Sequence, residues 1–205
     1  MVPRPQSRLP LFGAPLPSLV EVTRRRSSIH AMDLDRAESC TPVTSPGRPP
    51  LNIFRTLAHA PEALAGFLAW GSYILSKKNA LLPREREIVI LRTGFLCGSG
   101  YEWTQHVEIA LRAGLTQADI DAIKGNAATW PPADAALIAA CDELHDDQCV
   151  SDATWTALKA HFTDKQCLDV VFTAGQYTQV SMMLNSFGVQ LDEGQTLDPD
   201  LDHRA

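Results

Sequence analysis

The chain has 205 residues, 45% hydrophobic and 20% charged, which is the composition of a globular protein with one core. Its 18 basic and 24 acidic residues give a net charge of −6, and no long basic stripe follows residue 50, which argues against a nucleic-acid surface. No apolar run reaches the roughly 18 residues needed to cross a bilayer. We therefore expect neither nucleic acid nor a membrane among the partners.

The cysteines and histidines lack the spacing of structural sites. There are five cysteines, an odd number with no Cys-x-x-Cys pair, at positions Cys40, Cys97, Cys141, Cys149 and Cys167. This usage predicts free thiols in a reducing, cytoplasmic compartment. Five histidines are scattered without ligand spacing, namely His30, His59, His145, His161 and His203. We expect no metal and no cofactor.

The first 50 residues differ from the rest of the chain. They hold nine of the 14 prolines, and seven arginines against four acids give them a charge of +3, whereas the remaining 11 basic and 20 acidic residues give −9. Because proline is excluded from helix interiors, residues 1–50 are predicted to be an arm that is disordered or packs on the domain or a partner subunit. The alternatives are an over-extended gene start before Met32 and an organelle-targeting segment around Arg24–Arg26.

From Leu51 onward, apolar residues recur at helical intervals, which predicts an all-α domain over residues 51–190. Prolines in first-turn positions and capping residues predict helices beginning near Pro61, Pro83, Thr116, Pro132, Ser151 or Asp152, and Thr163. A further helix is expected from about Tyr101 to Ala113. Glycines are expected to end three helices, at Gly98 and Gly100, at Gly114, and at Gly188. Residues 191–205 are predicted to be a polar acidic tail.

Two segments of this domain resemble each other. Residues 83–93 and 163–173 both have a helix-starting residue, a polar first turn and an aliphatic run, which suggests duplicated helical hairpins. In the first of them, Ile88, Leu91 and Phe95 are predicted to form the buried face, while the charged residues 84–86 stay in solvent.

The residues best suited to chemistry lie between Glu87 and His106. Glu102 and His106 are four residues apart on a predicted helix, so their side chains share a face, with Ser99 one turn earlier. Glu87 could reach them from the preceding helix. A carboxylate fixes the tautomer of an imidazole and raises its basicity, as general acid–base catalysis near neutral pH requires. A solvated surface pair is the alternative for the same spacing.

Three segments resemble the signature of the carboxymuconolactone decarboxylase family, within the alkylhydroperoxidase D-like superfamily: residues 82–92 (LPREREIVILR), 101–106 (YEWTQH) and 113–116 (AGLT). The similarity is strongest over residues 51–125, and residues 142–145 (DELH) and 151–155 (SDATW) resemble the C-terminal part of the same group. The resemblance implies an internally duplicated, alkylhydroperoxidase D-like helical bundle that assembles into homotrimers or hexamers.

The peroxidase branch of this superfamily has a glutamate followed by Cys-x-x-Cys-x-x-x-His. Glu87 and His106 match that pattern, but Ser99 and Glu102 occupy the cysteine positions. Serine offers no thiolate and glutamate cannot resolve a disulfide, so the dithiol mechanism is not expected here. Cys97 is nearby at a different offset, and burial as a small apolar residue is favoured over a role in a one-cysteine peroxidase.

The decarboxylase branch implies a cofactor-independent lyase that acts on a small carboxylated lactone or a related acid from aromatic-compound catabolism. In such a reaction His106 would donate the proton, Glu102 would orient the His106 ring, and Glu87 would hold or relay the proton. Arg92 is a candidate for neutralising a substrate carboxylate. The alternative for Arg92 is a surface ion pair. Ser99, Tyr101 and Trp103 are candidates for the substrate pocket, and burial in the core is the alternative for the two aromatic residues.

Three function classes follow from the sequence. The first is the cofactor-free lyase or isomerase, with lactone isomerisation and retro-aldol cleavage as relatives of decarboxylation. The second is an antioxidant thiol peroxidase that uses Cys97. The third is a non-catalytic helical oligomer that binds a small molecule or a partner.

Overall fold

The computed structural model describes residues 50–125 and 130–204, and this part of the chain contains helices and no strand. The helices are α1 (Asn52–Leu57), α2 (Pro61–Leu75), α3 (Pro83–Leu96), α4 (Gly100–Arg112), α5 (Gln117–Ile123), α6 (Pro132–Asp146), α7 (Asp152–Lys159) and α8 (Asp164–Phe187), followed by a 3-10 helix over Pro199–Arg204. The predicted all-α class is confirmed. In the described part, no helix has the length and apolar character needed to span a membrane. The arm predicted over residues 1–50 lies outside the described residues except for position 50.

The helices begin where local signals place them. Prolines occupy the first turns of α2, α3 and α6. The hydroxyls of Thr116, Ser151 and Thr163 each accept a hydrogen bond from a backbone N–H three residues later, which satisfies a donor that the first turn leaves open. Gly188 ends α8 with a φ of 61°, a left-handed conformation that glycine adopts without strain.

Helix α3 is the centre of the bundle. The sequence predicted one buried face, but Ile88, Val89, Ile90 and Leu91 are all 0% exposed, so the helix is buried on every side over this run. The reason is that α4, α6 and α8 pack around it. Its first turn is also less solvated than predicted, because Arg84 makes a bidentate ion pair of 2.9 and 3.0 Å with Asp134 of α6.

The two similar segments, residues 83–93 and 163–173, form parts of α3 and α8, which pack against each other. A buried carboxylate on α8 ties neighbouring elements to this pair. Asp169 is 0% exposed and accepts hydrogen bonds from the Tyr73 hydroxyl of α2 (2.6 Å), the Ala80 backbone N–H (2.6 Å) and the Lys165 amine (2.7 Å). This carboxylate therefore fixes α2 and the α2–α3 connection against α8.

The C-terminal segment, predicted to be a polar acidic tail, packs against the helical domain. Asp192 accepts hydrogen bonds from the Tyr101 hydroxyl (2.7 Å) and the Gln105 amide (2.6 Å) of α4. Asp198 pairs with Lys124 at 2.7 Å and accepts from the Trp103 indole N–H at 3.1 Å. The acids of this segment therefore serve as acceptors for α4 and for the residue that follows α5.

Apolar contacts reinforce the attachment of this segment. Leu201 is 7% exposed and belongs to the main core, and Leu197 packs against it. Leu197 also lies so close to Gly100, the first residue of α4, that a methyl group on this glycine would overlap with it. Glycine at position 100 thus allows the close approach of the C-terminal segment.

Leu201→Ala is expected to lower the free energy of unfolding by about 2 kcal/mol, because it removes buried methyl groups and leaves a cavity. Leu168→Ala is the matched control, since Leu168 is 52% exposed and its truncation removes little buried surface. Urea denaturation followed by circular dichroism measures both. Equal, small effects of the two substitutions would mean that residues 191–204 do not contribute to the core.

Candidate functional site

Three of the predicted site residues meet at one point in the interior. Helices α3 and α4 pack side by side, and this places Glu87 of α3 opposite His106 of α4, with 2.7 Å between Glu87 Oε2 and His106 Nδ1. On the other side of the ring, Glu102 Oε1 lies 2.9 Å from His106 Nε2. The exposures of Glu87, Glu102 and His106 are only 1%, 5% and 6%, so a solvated surface pair is the wrong interpretation of this spacing.

A fourth residue, Tyr177 of α8, completes the cluster. Its hydroxyl oxygen lies 3.1 Å from His106 Nε2, and the two rings meet edge to face with centroids 5.0 Å apart. Tyr177 is not among the candidate residues predicted from the sequence. The signal that could have identified it is general: a tyrosine on a buried helix face needs a partner for its hydroxyl. We call Glu87, Glu102, His106 and Tyr177 the proton cluster.

The geometry favours an imidazolium at His106. Each ring nitrogen faces a carboxylate oxygen, which accepts hydrogen bonds when ionised, so both nitrogens are held with a proton. Burial by itself lowers the pKa of His106, but the charge and hydrogen bond of Glu102, followed by those of Glu87, outweigh it and raise the pKa from 6.5 to about 9. His106 is therefore a protonated acid at neutral pH.

Tyr177 stays neutral beside this pair. Burial raises the pKa of its hydroxyl well above 10, and the charges of Glu102 and Glu87 raise it further, while Arg86 acts weakly in the opposite direction. The other oxygen of Glu87, Oε1, is buried and has no hydrogen-bond partner among the described residues. The proton cluster therefore holds two protonated groups, the hydroxyl of Tyr177 and the imidazolium of His106.

The proton cluster borders a partly open cavity of about 340 Å³ that lies between α1, α2, α4 and α8. Most of its wall is apolar and is formed by side chains such as Ile53, Phe54, Phe67, Leu68, Ile109 and Val180. The polar part consists of Ser72, Tyr101, Glu102, Gln105, His106, Gln176 and Tyr177. Among these described lining residues there is no lysine or arginine. Glu87 does not line the cavity and touches His106 from behind.

Two of the predicted pocket residues lie away from the cavity. Trp103 is 2% exposed, packs against Phe95 with ring centroids 5.7 Å apart, and does not line the cavity. Ser99 is 0% exposed at the residue before α4 and also lies outside the cavity wall. Tyr101 does line the cavity, but its hydroxyl donates to Asp192.

Arg92, the predicted candidate for neutralising a substrate carboxylate, is paired with groups of the protein itself. Its guanidinium pairs with both oxygens of Asp142 on α6, at 2.6 and 2.9 Å, and donates to the backbone carbonyls of Ile123 and Gly125 at 2.7 and 2.8 Å. It is 7% exposed and does not line the cavity. Arg92 therefore joins α3, α6 and the end of α5, because a buried guanidinium needs a full set of acceptors.

Cys97, the predicted redox alternative, lies at the end of α3 and outside the cavity wall. Its sulfur is 3.9 Å from Nδ1 of His145. Cys141 and Cys167 are buried and Cys149 is exposed, while Cys40 lies outside the described residues. Within residues 50–125 and 130–204, no group of three or more His, Cys, Asp or Glu side chains is arranged to hold a metal ion.

Comparison with known proteins identifies one sequence family. The pattern of the Carboxymuconolactone decarboxylase family matches residues 61–145, which include Glu87, Glu102 and His106. No protein with a curated description matches the chain.

Solved structures share the fold at low sequence identity. A peroxidase-related protein with an alkylhydroperoxidase AhpD core from Ralstonia eutropha JMP134 is 22% identical with a TM-score of 0.68, over 91% of this chain and 95% of that one. A peroxidase-related protein from Silicibacter sp. TM1040 is 14% identical with a TM-score of 0.65, over 78% and 84%. The debrominase Bmp8 is 12% identical with a TM-score of 0.61, over 92% and 96%. At these identities the likeness shows a common fold and not a common reaction.

Arg92→Met is expected to lower the free energy of unfolding by about 3 kcal/mol, because it leaves Asp142 and two carbonyls without their partner. Arg112→Met is the control, since Arg112 is 72% exposed and lies 3.9 Å from Glu108; its loss should cost less than about 0.5 kcal/mol. Urea denaturation measures both values. If Arg92→Met unfolds like the wild type but loses affinity for carboxylated ligands, the structural role assigned to Arg92 is wrong.

Proposed function

We propose that the chain is a member of the carboxymuconolactone decarboxylase family, whose pattern matches residues 61–145, and that it is a cofactor-independent enzyme whose central step is proton transfer to or from carbon. The observation that carries the proposal is the placement of His106 between two buried carboxylates at the wall of an apolar cavity. A buried acid of this kind beside a cavity is typical of a site for general acid–base catalysis.

Each member of the proton cluster has a role in this proposal. Glu102 lines the cavity and accepts a proton from a substrate carbon, or orients His106 when the substrate already carries negative charge. The His106 imidazolium returns a proton to carbon. Tyr177 donates a hydrogen bond to the oxygen of the enolate that forms in between, since its hydroxyl stays protonated. Glu87 lies on the side of His106 that faces away from the cavity and holds the Nδ1 proton.

Several reactions share this step. In the decarboxylation expected from the family resemblance, the bond between the substrate carbon and its carboxylate breaks and carbon dioxide leaves. The electron pair of this bond forms a dienolate, and His106 protonates the dienolate at carbon. Lactone isomerisation moves a proton between two carbons through the same enolate. Retro-aldol cleavage forms an enolate by breaking a carbon–carbon bond. Lyase or isomerase chemistry on a small lactone or related carbonyl compound is thus the proposed class.

Thiol peroxidase activity is the second candidate. The observation that favours it is the 3.9 Å contact between Cys97 and His145, because an imidazole beside a sulfur favours the reactive thiolate. It ranks second because Cys97 does not line the cavity, and because Ser99 and Glu102 stand where the peroxidase branch of the resemblance has its cysteine pair.

Assembly into a homo-oligomer is also part of the proposal. Trp70 of α2 and Phe172 of α8 are 40% and 42% exposed and touch each other edge to face at 5.5 Å, which forms an aromatic patch on the surface. Burial of such a patch against a second copy would contribute to a stable interface.

His106→Gln is expected to reduce kcat by at least about 100-fold, the usual contribution of a positioned general acid, against a panel of lactones, their acids and their esters. Carbon dioxide release and ultraviolet absorbance report turnover, and circular dichroism checks that the variant is folded. Cys97→Ser is the control and should retain activity. Unchanged turnover in His106→Gln would refute the proposed acid, whereas loss of a peroxide-dependent reaction in Cys97→Ser would favour the thiol peroxidase.

The pH dependence of kcat/KM follows from the raised pKa of His106, about 9 in the folded protein. Since the protonated form is the proposed acid, kcat/KM should be level below pH 8 and fall about tenfold per pH unit above pH 9. Glu102→Gln removes the largest contribution that raises this pKa, so the falling limb should move to lower pH.

Glu108→Gln is the matched control for this profile. Glu108 lies on the same helix as Glu102, but its side chain is 76% exposed and outside the proton cluster. Its substitution should leave the falling limb in place. A limb that does not move in Glu102→Gln would mean that a group other than His106 controls the rate.

A further inference from the structure

We infer that the substrate of this cavity is an uncharged, mostly apolar molecule with one carbonyl or hydroxyl group, and not a carboxylate. The inference rests on the proposed function for the position of the reacting group, and it narrows the reactions named there. It excludes decarboxylation of an anionic acid and leaves proton shifts within a neutral unsaturated ketone, lactone or ester.

The composition of the cavity wall is the first argument. A carboxylate that leaves water requires a cation or several donors to replace its hydration. The described lining residues include no lysine or arginine. Arg92, which sequence analysis proposed for this purpose, is fully engaged with Asp142 and two carbonyls. Arg86 acts on the Tyr177 hydroxyl through its charge but does not line the cavity.

The acidic groups of the proton cluster are the second argument. Glu87 and Glu102 set two carboxyl groups against one imidazole ring at the end of the cavity where the reaction would occur. A substrate carboxylate at that end would lie beside these acidic oxygens, with no lysine or arginine among the described lining residues to face it. A cationic substrate would not find a free carboxylate here, because both carboxylates already pair with His106.

The remaining polar groups suit a neutral ligand. Gln176 is 5% exposed and lines the cavity with an amide, and Tyr177 adds a hydroxyl next to His106. These are neutral donors of the kind that orient a carbonyl without demanding charge. The proton shift that we infer is balanced without a co-reactant: one carbon loses a proton to Glu102, the enolate oxygen accepts a hydrogen bond from Tyr177, and another carbon receives a proton from His106. Glu102 then passes its proton to Nε2 of His106, 2.9 Å away, which restores both groups.

The test compares muconolactone with its methyl ester, which share a skeleton and differ in charge. Isothermal titration at pH 7 should show that the wild type binds the ester at least tenfold more tightly than the acid. Ile109→Arg adds a cation to the cavity wall at a residue that is only partly buried, 37% exposed, and should tighten binding of the acid at least tenfold. Leu111→Arg is the matched control: it lies on the same helix, is 43% exposed and is not part of the wall, so acid binding should not change.

The outcomes separate this inference from the proposed function. Ester binding without turnover would support the neutral-ligand cavity and count against the proton-transfer enzyme. Turnover of the acid with release of carbon dioxide would support the proton-transfer enzyme and count against the neutral-ligand cavity. The inference is overturned if the wild type binds the acid as tightly as the ester, if it binds neither at millimolar concentration, or if Leu111→Arg gains as much acid binding as Ile109→Arg.

Discussion

The imidazole of His106 lies between two carboxylates in the interior, and much of the bundle is arranged to keep it there. Charged groups that leave water need partners at close range, and removal of one member of such a set leaves the others buried without compensation. The distances of 2.7 and 2.9 Å on the two sides of the ring meet that need. Because Glu87 comes from α3 while Glu102 and His106 come from α4, the relative position of these two helices decides whether the set forms.

The rest of the fold holds these helices in register. Helix α3 is buried over its aliphatic run and is tied to α6 by Arg92, whereas α4 is fixed from outside by Asp192 and Asp198 of the C-terminal segment. Asp169 does the same for α2 and α8 on the far side of the cavity. Several buried or half-buried acids thus act as acceptors at joints between elements, where backbone hydrogen bonds do not reach.

The cavity shows how one scaffold can serve different chemistry. The compared structures have the same fold at 22% identity or less, and their descriptions include peroxidase-related proteins and a debrominase. In this chain, Glu102 occupies a position at which the peroxidase branch of the resemblance has a redox cysteine. Glu102 lies there beside apolar wall residues such as Phe67 and Val180, and the described lining has no lysine or arginine. These features are the basis of the proposal of proton transfer on apolar compounds.

The helical class, most helix starts and the shared face of Glu102 and His106 could be predicted from the sequence. They could be predicted because first-turn prolines, capping hydroxyls and side chains four residues apart act within one or two turns. Glu87 was predictable as a candidate because the family resemblance placed it, although its contact spans 19 residues of chain.

The partners that are distant along the chain could not be predicted from the sequence. Arg92 turned to Asp142, 50 residues away, and Tyr177 reached His106 across 71 residues, while the acids of residues 191–201 bound helices that begin some 90 residues earlier. Nothing local distinguishes a buried arginine that binds a substrate from one that joins two helices, since both need acceptors. Which acceptors it meets depends on how the helices pack, and that packing also created the cavity.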